Sequence, residues 1–470
     1  MQTRFIPIFI AVVLTVTTTT VAQPSTTPQL LSFEDALSIT LSENPSVQAF
    51  ESERKAAQRT TEATIGLFLP QIRLRGAYIY ADRDIALSLN NPLTSMLGLN
   101  LSYILQPRTF GALGGDVTIP IFMGGKIISA RRAAKAQERS TNANITQRIS
   151  ALHTEVTARY FGYVLAIYAL QVRKQVVNTI SRHLKDLQVA EANGMATRTE
   201  LLYAQYRLAE AQREQESAFL QLQTIHTALA STLGRNNSDT ENPQPIYPIT
   251  TMFIINELPP LEYYLSIADF QSPILQSIEG ERALAKANVS AHRADFFPEI
   301  VGMGAASLYD YNLTPALPRA AVGIGVNFTL FNGARRELSY SAARHTLRRV
   351  ESLQQQASNE IHTLITQLYN QLCALRTQCH ALTEGVTSAE AYLYATKVAF
   401  KEGVVTTAEL LDAETEVARV RIERIEAAYN FDVTLAKLLE AVGESEQLPQ
   451  LMHSSASFSI TYDTPPYETH

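Results

Sequence analysis

The stretches GMATRTELLYA (residues 194–204) and GVVTTAELLDA (residues 403–413) share the pattern Gly-x-x-Thr-x-x-Glu-Leu-Leu-x-Ala. Each follows a segment of about 70 residues that contains no proline and begins at a Phe-x-Gly motif, at Phe122 or Phe331. Both features recur at the same spacing of 209 residues. A helix of about 70 residues is about 105 Å long, far beyond the usual globular helix. The sequence therefore predicts a long coiled coil or a tube of helices.

A second set of matches shows that the chain is an internal duplication. The stretch FLPQI (residues 68–72) recurs as FFPEI (residues 296–300), at a spacing of 228 residues. The change in spacing places 19 additional residues in the first copy between its proline and its Phe-x-Gly motif. An insertion tolerated there predicts an exposed loop. The predicted organisation is a signal peptide (1–22), a linker (23–31), a first repeat (32–234), a connector (235–260), a second repeat (261–443) and a C-terminal tail (444–470).

After each Leu-Pro or Phe-Pro the apolar residues change from a helical period to a period of two. This alternation predicts one β-hairpin in each repeat, at residues 69–122 and 298–331. Strands of about ten residues are long enough to cross a bilayer when tilted, and aromatic residues cluster near their ends. A pair of ordinary soluble hairpins is the alternative interpretation.

The helices after the two glycine turns indicate a closed wall of helices. The helix after Gly403 has two apolar stripes, which begin at Val404 and Leu410, and two stripes require a neighbour on each side. Four strands cannot close a barrel, and open strand edges are not tolerated in lipid. Self-association is therefore expected, with two chains giving eight strands and three giving about twelve.

Composition narrows the class of protein. Residues 1–22 have a basic residue, a short apolar run and a small-residue cleavage site, as in a secretory signal peptide, although a frayed apolar terminus is the alternative. A net charge of −6 argues against nucleic-acid binding. Cys373 and Cys379 are too far apart on one helix for a disulfide. No catalytic, phosphate-binding or metal-ligand motif is present, so we expect no enzyme, no cofactor and no metal.

At this point the sequence resembles the TolC-like outer-membrane efflux protein family. The resemblance covers both repeats and rests on LSFEDAL (31–37), LPQI (69–72), IPIFMGG (119–125) and the two glycine motifs. It implies a mainly helical chain with a β-barrel part. It also implies a homotrimer, with a twelve-stranded barrel among outer-membrane lipids and a helical tunnel through the periplasm of a bacterial cell. It also implies docking to a periplasmic adaptor and an inner-membrane pump, for efflux or type I secretion. A periplasmic coiled-coil scaffold without a pore is the alternative, and the cargo stays open.

The glycine motifs predict two tight helical hairpins. Gly194 and Gly403 suit the left-handed position that ends a helix, and Thr-x-x-Glu is a capping box for the next one. Capping alone does not explain the leucines beyond each box, which we expect at a solvent-facing tip. By resemblance, this tip meets the adaptor, and a well-capped hairpin without a partner is the alternative. The predicted adaptor-binding residues are Gly194, Thr197, Leu201, Gly403, Thr406 and Leu410.

Acidic residues near the same motifs are candidates for a pore aperture. Glu409 and Asp412 lie three residues apart on one helical face. By resemblance, these two and Glu200 ring the narrow periplasmic entrance, whereas solvated surface charge is the alternative. In the family a tyrosine and an arginine near this turn make polar closing links. Phe400 and Val405 stand at those places, so the closing network must differ or closure must be weaker.

Overall fold

The computed structural model describes residues 29–88, 96, 102–235, 246–313, 318–453 and 457–459. The signal-peptide prediction lies outside the described residues. Two helices of 67 residues, each about 100 Å long, dominate the chain. None of the helices in the described part of the chain combines the length and apolar composition of a membrane-spanning helix.

In chain order the helices are α1 (Phe33–Glu43), α2 (Pro45–Ala63), α3 (Lys126–Ala192), α4 (Arg198–Thr232), α5 (Leu261–Gln271), α6 (Pro273–Ala294), α7 (Arg335–Lys401), α8 (Thr407–Val442) and α9 (Leu448–Met452). The strands are β1 (Gln29–Leu31), β2 (Gln71–Tyr80), β3 (Ile85–Ser88), β4 (Ser102–Gln106), β5 (Thr109–Met123), β6 (Ile246–Pro248), β7 (Phe253–Ile255), β8 (Glu299–Tyr311), β9 (Ala320–Asn327) and β10 (Ser457–Ser459).

The helices and the main sheet follow one lateral order. Helix α3 packs against α2, α4, α6 and α8, and α7 packs against α6 and α8. The helices therefore form four columns, in the order α2 with α4, then α3, then α6 with α8, then α7. The sheet has the matching order β2-β5-β8-β9, and each strand continues a column. The outer columns and the strands β2 and β9 lie along the same two edges of the chain.

Close packing of adjacent columns depends on one small residue. A Cβ atom at Gly280 of α6 would lie 2.8 Å from the backbone nitrogen of Ser140 on α3. Only glycine allows the two helices to approach this closely. The hydroxyls of Ser140 and Ser277 lie 3.3 Å apart beside this contact and are buried.

A belt of short elements packs against the helices α3 and α8. Strand β1 pairs with β6 in parallel, and β7 pairs with β10 in antiparallel orientation. The buried Tyr160 of α3 fixes the belt, because its hydroxyl donates to the carbonyl of Leu31 at 2.8 Å and accepts from the amide of Thr250 at 3.0 Å. The main hydrophobic core lies here, around Phe33, Phe161 and Phe431.

Two buried polar side chains lie in the same region. Asp432 of α8 is fully buried, and neither carboxylate oxygen makes a well-formed hydrogen bond, although the amide of Phe253 approaches it. Burial raises the pKa of Asp432 well above its usual value. Burial, with a smaller contribution from Asp432, also raises the pKa of the Cys379 thiol to about 12. Both cysteines are free, as the spacing predicted.

The mainly helical fold with one β part is confirmed, but the structure differs from the sequence prediction in three places. The loop of the first repeat contains a further hairpin, β3–β4. The segments that we interpreted as a linker and a connector supply β1, β6 and β7. The segment that we interpreted as a C-terminal tail packs Leu448 into the core and adds β10 to the belt. These strands are only three to five residues long, which is too short for a periodic signal to be recognised.

Candidate functional site

The two hairpin tips lie at the ends of the long helices farthest from the sheet and share one backbone geometry. At the first tip Gly194 has φ of 72°, and the amides of Gly194 and Met195 donate to carbonyls in the last turn of α3, at 2.9 and 2.8 Å. Gly403 also has φ of 72°, and the corresponding bonds from Gly403 and Val404 are 3.0 and 2.9 Å. This pattern is the Schellman motif, and it confirms the left-handed glycine at each turn.

Both predicted capping boxes are also present. The amide of Thr197 donates to the Glu200 carboxylate at 2.8 Å, and the amide of Glu200 donates to the Thr197 hydroxyl at 3.2 Å. The matching distances between Thr406 and Glu409 are 2.7 and 3.3 Å. Hydrogen bonds from the backbone and hydroxyl of each threonine lower the pKa of Glu200 and of Glu409. Both carboxylates are therefore engaged in their own caps and favour the charged form.

The predicted docking leucines are not at the surface. Leu201 is 4% exposed and Leu410 is 1% exposed, so the expectation that these side chains lie at a solvent-facing surface is wrong. Leu201 packs into a small core that contains Leu187 of α3 and Leu411 of α8. A leucine in the first turn of a capped helix can face the neighbouring helix as well as solvent, and the spacing alone does not distinguish these positions.

The residues that do expose apolar surface at the tips directly follow the glycines. Met195 and Val404 are each 76% exposed. They occupy equivalent positions of the two repeats, one on each turn. Leu202, beside the buried Leu201, is 52% exposed. Sequence reasoning missed Met195 and placed Val404 in an apolar stripe of the following helix, whereas Val404 precedes that helix and is exposed. The signal that could have found both residues is an apolar residue in a turn where polar residues are usual.

Asp412 connects the two hairpins instead of standing alone. Its Oδ1 atom accepts a hydrogen bond from the Tyr203 hydroxyl at 3.1 Å and lies 3.2 Å from a guanidinium nitrogen of Arg207. Arg207 also donates to the Thr415 hydroxyl at 2.9 Å. Tyr203 and Asp412 are 209 residues apart, so they are equivalent positions of the duplication that contact each other. A search for complementary polar residues at equivalent positions could have found this link.

A second polar link lies farther along the same helices. The Glu414 carboxylate is 5% exposed, and its Oε1 atom lies 3.2 Å from His183 Nε2 and 3.3 Å from Lys397 Nζ. The three residues belong to α8, α3 and α7. The two hairpins are thus joined by polar contacts near their tips. These contacts are present although Phe400 and Val405 stand where the family that the sequence resembles has a tyrosine and an arginine.

Comparison with known proteins gives a consistent result. The family model described as outer membrane efflux protein matches residues 36–235 and 265–444. The chain is 23% identical over 327 residues to the alkaline protease secretion protein AprF of Pseudomonas aeruginosa, a match that spans 66% of this chain and 65% of AprF. It is 20% identical over 339 residues to the outer membrane efflux protein BepC of Brucella suis, across 72% of this chain and 73% of BepC.

The fold also matches a solved structure. The crystal structure of the Campylobacter jejuni CmeC outer membrane channel superposes with a TM-score of 0.73 at 13% sequence identity, across 88% of this chain and 86% of that chain. At this sequence identity the similarity shows a shared fold and nothing further.

Proposed function

Because the chain belongs to the outer membrane efflux protein family, we propose that three copies of it form a channel through the outer membrane that continues into the periplasm. One observation carries the proposal: the four strands and the four helix columns have the same order and end at the same two edges. Closure of those edges by further copies would complete a barrel and a tunnel together. Three copies give about twelve strands, enough to enclose a lumen.

The proposed channel is a passive exit route. Energy would come from an inner-membrane pump, and a periplasmic adaptor would connect the pump to the hairpin tips. AprF is named for protease secretion and BepC for efflux, so both kinds of cargo are compatible with this chain. The family and fold are those of channel proteins, and we propose no catalytic role.

Purification from outer membranes and reconstitution into planar bilayers test this function. We expect trimers that resist dissociation in detergent and that conduct ions. A monomer in the soluble periplasmic fraction, without conductance, would support the alternative of a coiled-coil scaffold.

We assign adaptor contact to the apex of each tip. Three chains would present six tips in a ring, and each would carry one exposed apolar residue next to a glycine without a side chain. Met195→Asp combined with Val404→Asp should abolish export and crosslinking to the adaptor while trimer yield stays unchanged. Met195→Leu combined with Val404→Ile is the matched control and should keep both. Normal crosslinking in the Asp variants would place the contact elsewhere.

We assign the pore aperture to Asp412, with Glu200 and Glu409 beside it. The caps engage both glutamates, whereas the Asp412 side chain is 61% exposed and contacts Tyr203 and Arg207 through its Oδ1 atom. Three such carboxylates near the axis would attract multivalent cations. Asp412→Ala should weaken block by trivalent cations added from the periplasmic side, and Asp412→Glu should retain it. Unchanged block in the alanine variant and in the double variant with Glu409→Ala would contradict the assignment.

A further inference from the structure

The main sheet has two chemically different faces. Pairing between the strands is regular from Gln71 opposite Thr118 to Tyr80 opposite Thr109, so directly opposed residues share a face. One face is apolar, and its members are Ile72, Leu74, Val117, Ile119, Val322 and Ile324. In membrane barrels the apolar face contacts lipid and the other face lines the lumen.

The opposite face carries a triad of charged residues. Arg73 and Asp116 are paired across β2 and β5, and Arg75 lies on the same face two residues farther along β2. The Nε atom of Arg73 lies 2.9 Å from Asp116 Oδ2, and the Nε atom of Arg75 lies 3.0 Å from Asp116 Oδ1. Two guanidinium groups therefore share one carboxylate, and the triad has a net charge of about +1.

Both guanidinium groups stay accessible. The side chain of Arg75 is 68% exposed and that of Arg73 is 52% exposed, whereas Asp116 is 24% exposed. The Nε atoms contact the two carboxylate oxygens, and the largely exposed Arg75 guanidinium has further N–H donors on its terminal nitrogens. An arginine presents paired donors in a plane, a geometry suited to carboxylate, phosphate and sulfate groups.

The acidic residues Glu299 and Asp310 on this face do not neutralise the excess positive charge of the triad. Glu299 lies toward the tunnel and is bound by Lys126 at 2.7 Å. Asp310 is opposite Ala112, four residues along β5 from Asp116, so its Cα atom is about 12 Å from that of Arg75. Its carboxylate accepts from the Ser307 hydroxyl at 2.5 Å. Screening at physiological salt weakens interactions over that distance.

We infer that Arg73, Arg75 and Asp116 form an anion-binding ring on the lumen face of the barrel, which attracts carboxylate, phosphate or sulfate groups of passing cargo. The inference rests on the proposed function, since this face becomes a lumen only when further copies close the sheet. Arg75 supplies the uncompensated positive charge, and Arg73 binds the Asp116 carboxylate. Three chains would bring six arginines to the same height along the barrel axis.

The local potential can be measured with charged thiol reagents. Thr118 lies on the same face, and its hydroxyl is 3.5 Å from a terminal nitrogen of Arg73. Thr118→Cys is introduced with Cys373→Ala, and reaction rates are measured with an anionic sulfonatoethyl and a cationic trimethylammonioethyl methanethiosulfonate. The ratio of the two rates reports the potential, because both reagents follow the same path. Ile119→Cys, on the apolar face, is the control and should react with neither reagent.

Opposite changes in charge should move this ratio in opposite directions. Arg75→Gln should lower the anionic-to-cationic ratio by about two- to fourfold, and Asp116→Asn should raise it by a similar factor. Arg75→Lys should keep the ratio near its original value. An unchanged ratio in the Gln and Asn variants, a shift of both in one direction, or no reaction of the Thr118→Cys variant would overturn the inference.

Bilayer recordings on the same proteins separate this inference from the proposed function. Conductance together with an unaltered rate ratio would refute the anion ring alone. Absence of conductance in the unmodified protein would refute the channel itself.

Discussion

Replacing the buried Asp432 with asparagine should stabilise the protein, and the gain should increase with pH. Asp432 is fully buried on α8 and lacks a well-formed hydrogen bond, and burial raises its pKa well above the usual value. An acid with a raised folded-state pKa binds more protons in the folded state than in the unfolded one. Stability is therefore highest below the unfolded-state pKa, and it falls as pH rises towards the folded-state pKa.

The size of the effect follows from this difference in pKa. Each pH unit between about 3.9 and the folded-state pKa removes about 1.4 kcal/mol from the free energy of unfolding, so the penalty at pH 7 is at most about 4 kcal/mol. Asp432→Asn keeps the shape of the side chain but does not titrate. We expect little difference from the unmodified protein at pH 4, and a difference of about 1 kcal/mol or more at pH 7, because keeping Asp432 protonated becomes more costly as pH rises.

Thermal unfolding of the detergent-solubilised protein, followed by circular dichroism between pH 4 and pH 8, measures the difference. Asp186→Asn, which removes an exposed carboxylate on α3, is the control and should show no such trend. If the stability difference between Asp432→Asn and the unmodified protein is the same at both ends of the pH range, Asp432 is not an unpaired buried acid.

Three further predictions concern single sites. Gly280→Ala should lower the midpoint of thermal unfolding, because its Cβ would lie 2.8 Å from the Ser140 backbone. Gly385→Ala is the control and should raise the midpoint slightly, because the nearest atom to its Cβ lies at 3.6 Å. Equal effects would contradict the close packing of α3 and α6. Gly403→Ala should lower the midpoint of thermal unfolding because alanine is strained at φ of 72°, although the space around its Cβ is open. Gly403→Asn should lower the midpoint less, because asparagine tolerates this conformation better. Equal midpoints for the two variants would rule out strain as the cause. Below pH 9, maleimide should modify the half-buried Cys373 much faster than Cys379, whose thiol pKa is raised to about 12, and mass spectrometry of labelled peptides shows which cysteine reacts first.

The sequence was sufficient for the large elements because their signals repeat. The two long segments without proline, the period-two strands and the duplication predicted the helices, the strands of the sheet and the turns at Gly194 and Gly403. Glycine, threonine and glutamate act within a few residues of each other at these turns, so their geometry follows from local sequence. The capping boxes at Thr197 and Thr406 were predictable for this reason.

Contacts between distant segments were not predictable in the same way. Whether Leu201 faces a neighbouring helix or solvent depends on the rotation of α4 against α3, which the apolar spacing alone does not determine. The link from Tyr203 to Asp412 joins residues 209 positions apart. The belt strands β1, β6 and β7 have three residues each, too few for a period to be recognised.

The coincidence of sheet edges and outer helix columns has a consequence for assembly. In the proposed channel, a chain that adds one partner satisfies one edge of its sheet and one outer column at once, but leaves a slit that runs through both regions. Because unpaired strand edges are unfavourable in lipid, a partly assembled ring gains little before it closes. Ring closure is therefore expected to be cooperative, with few intermediates, so that its yield falls steeply when the concentration of chains drops. Such an all-or-none step would also keep incomplete rings from leaking across the membrane.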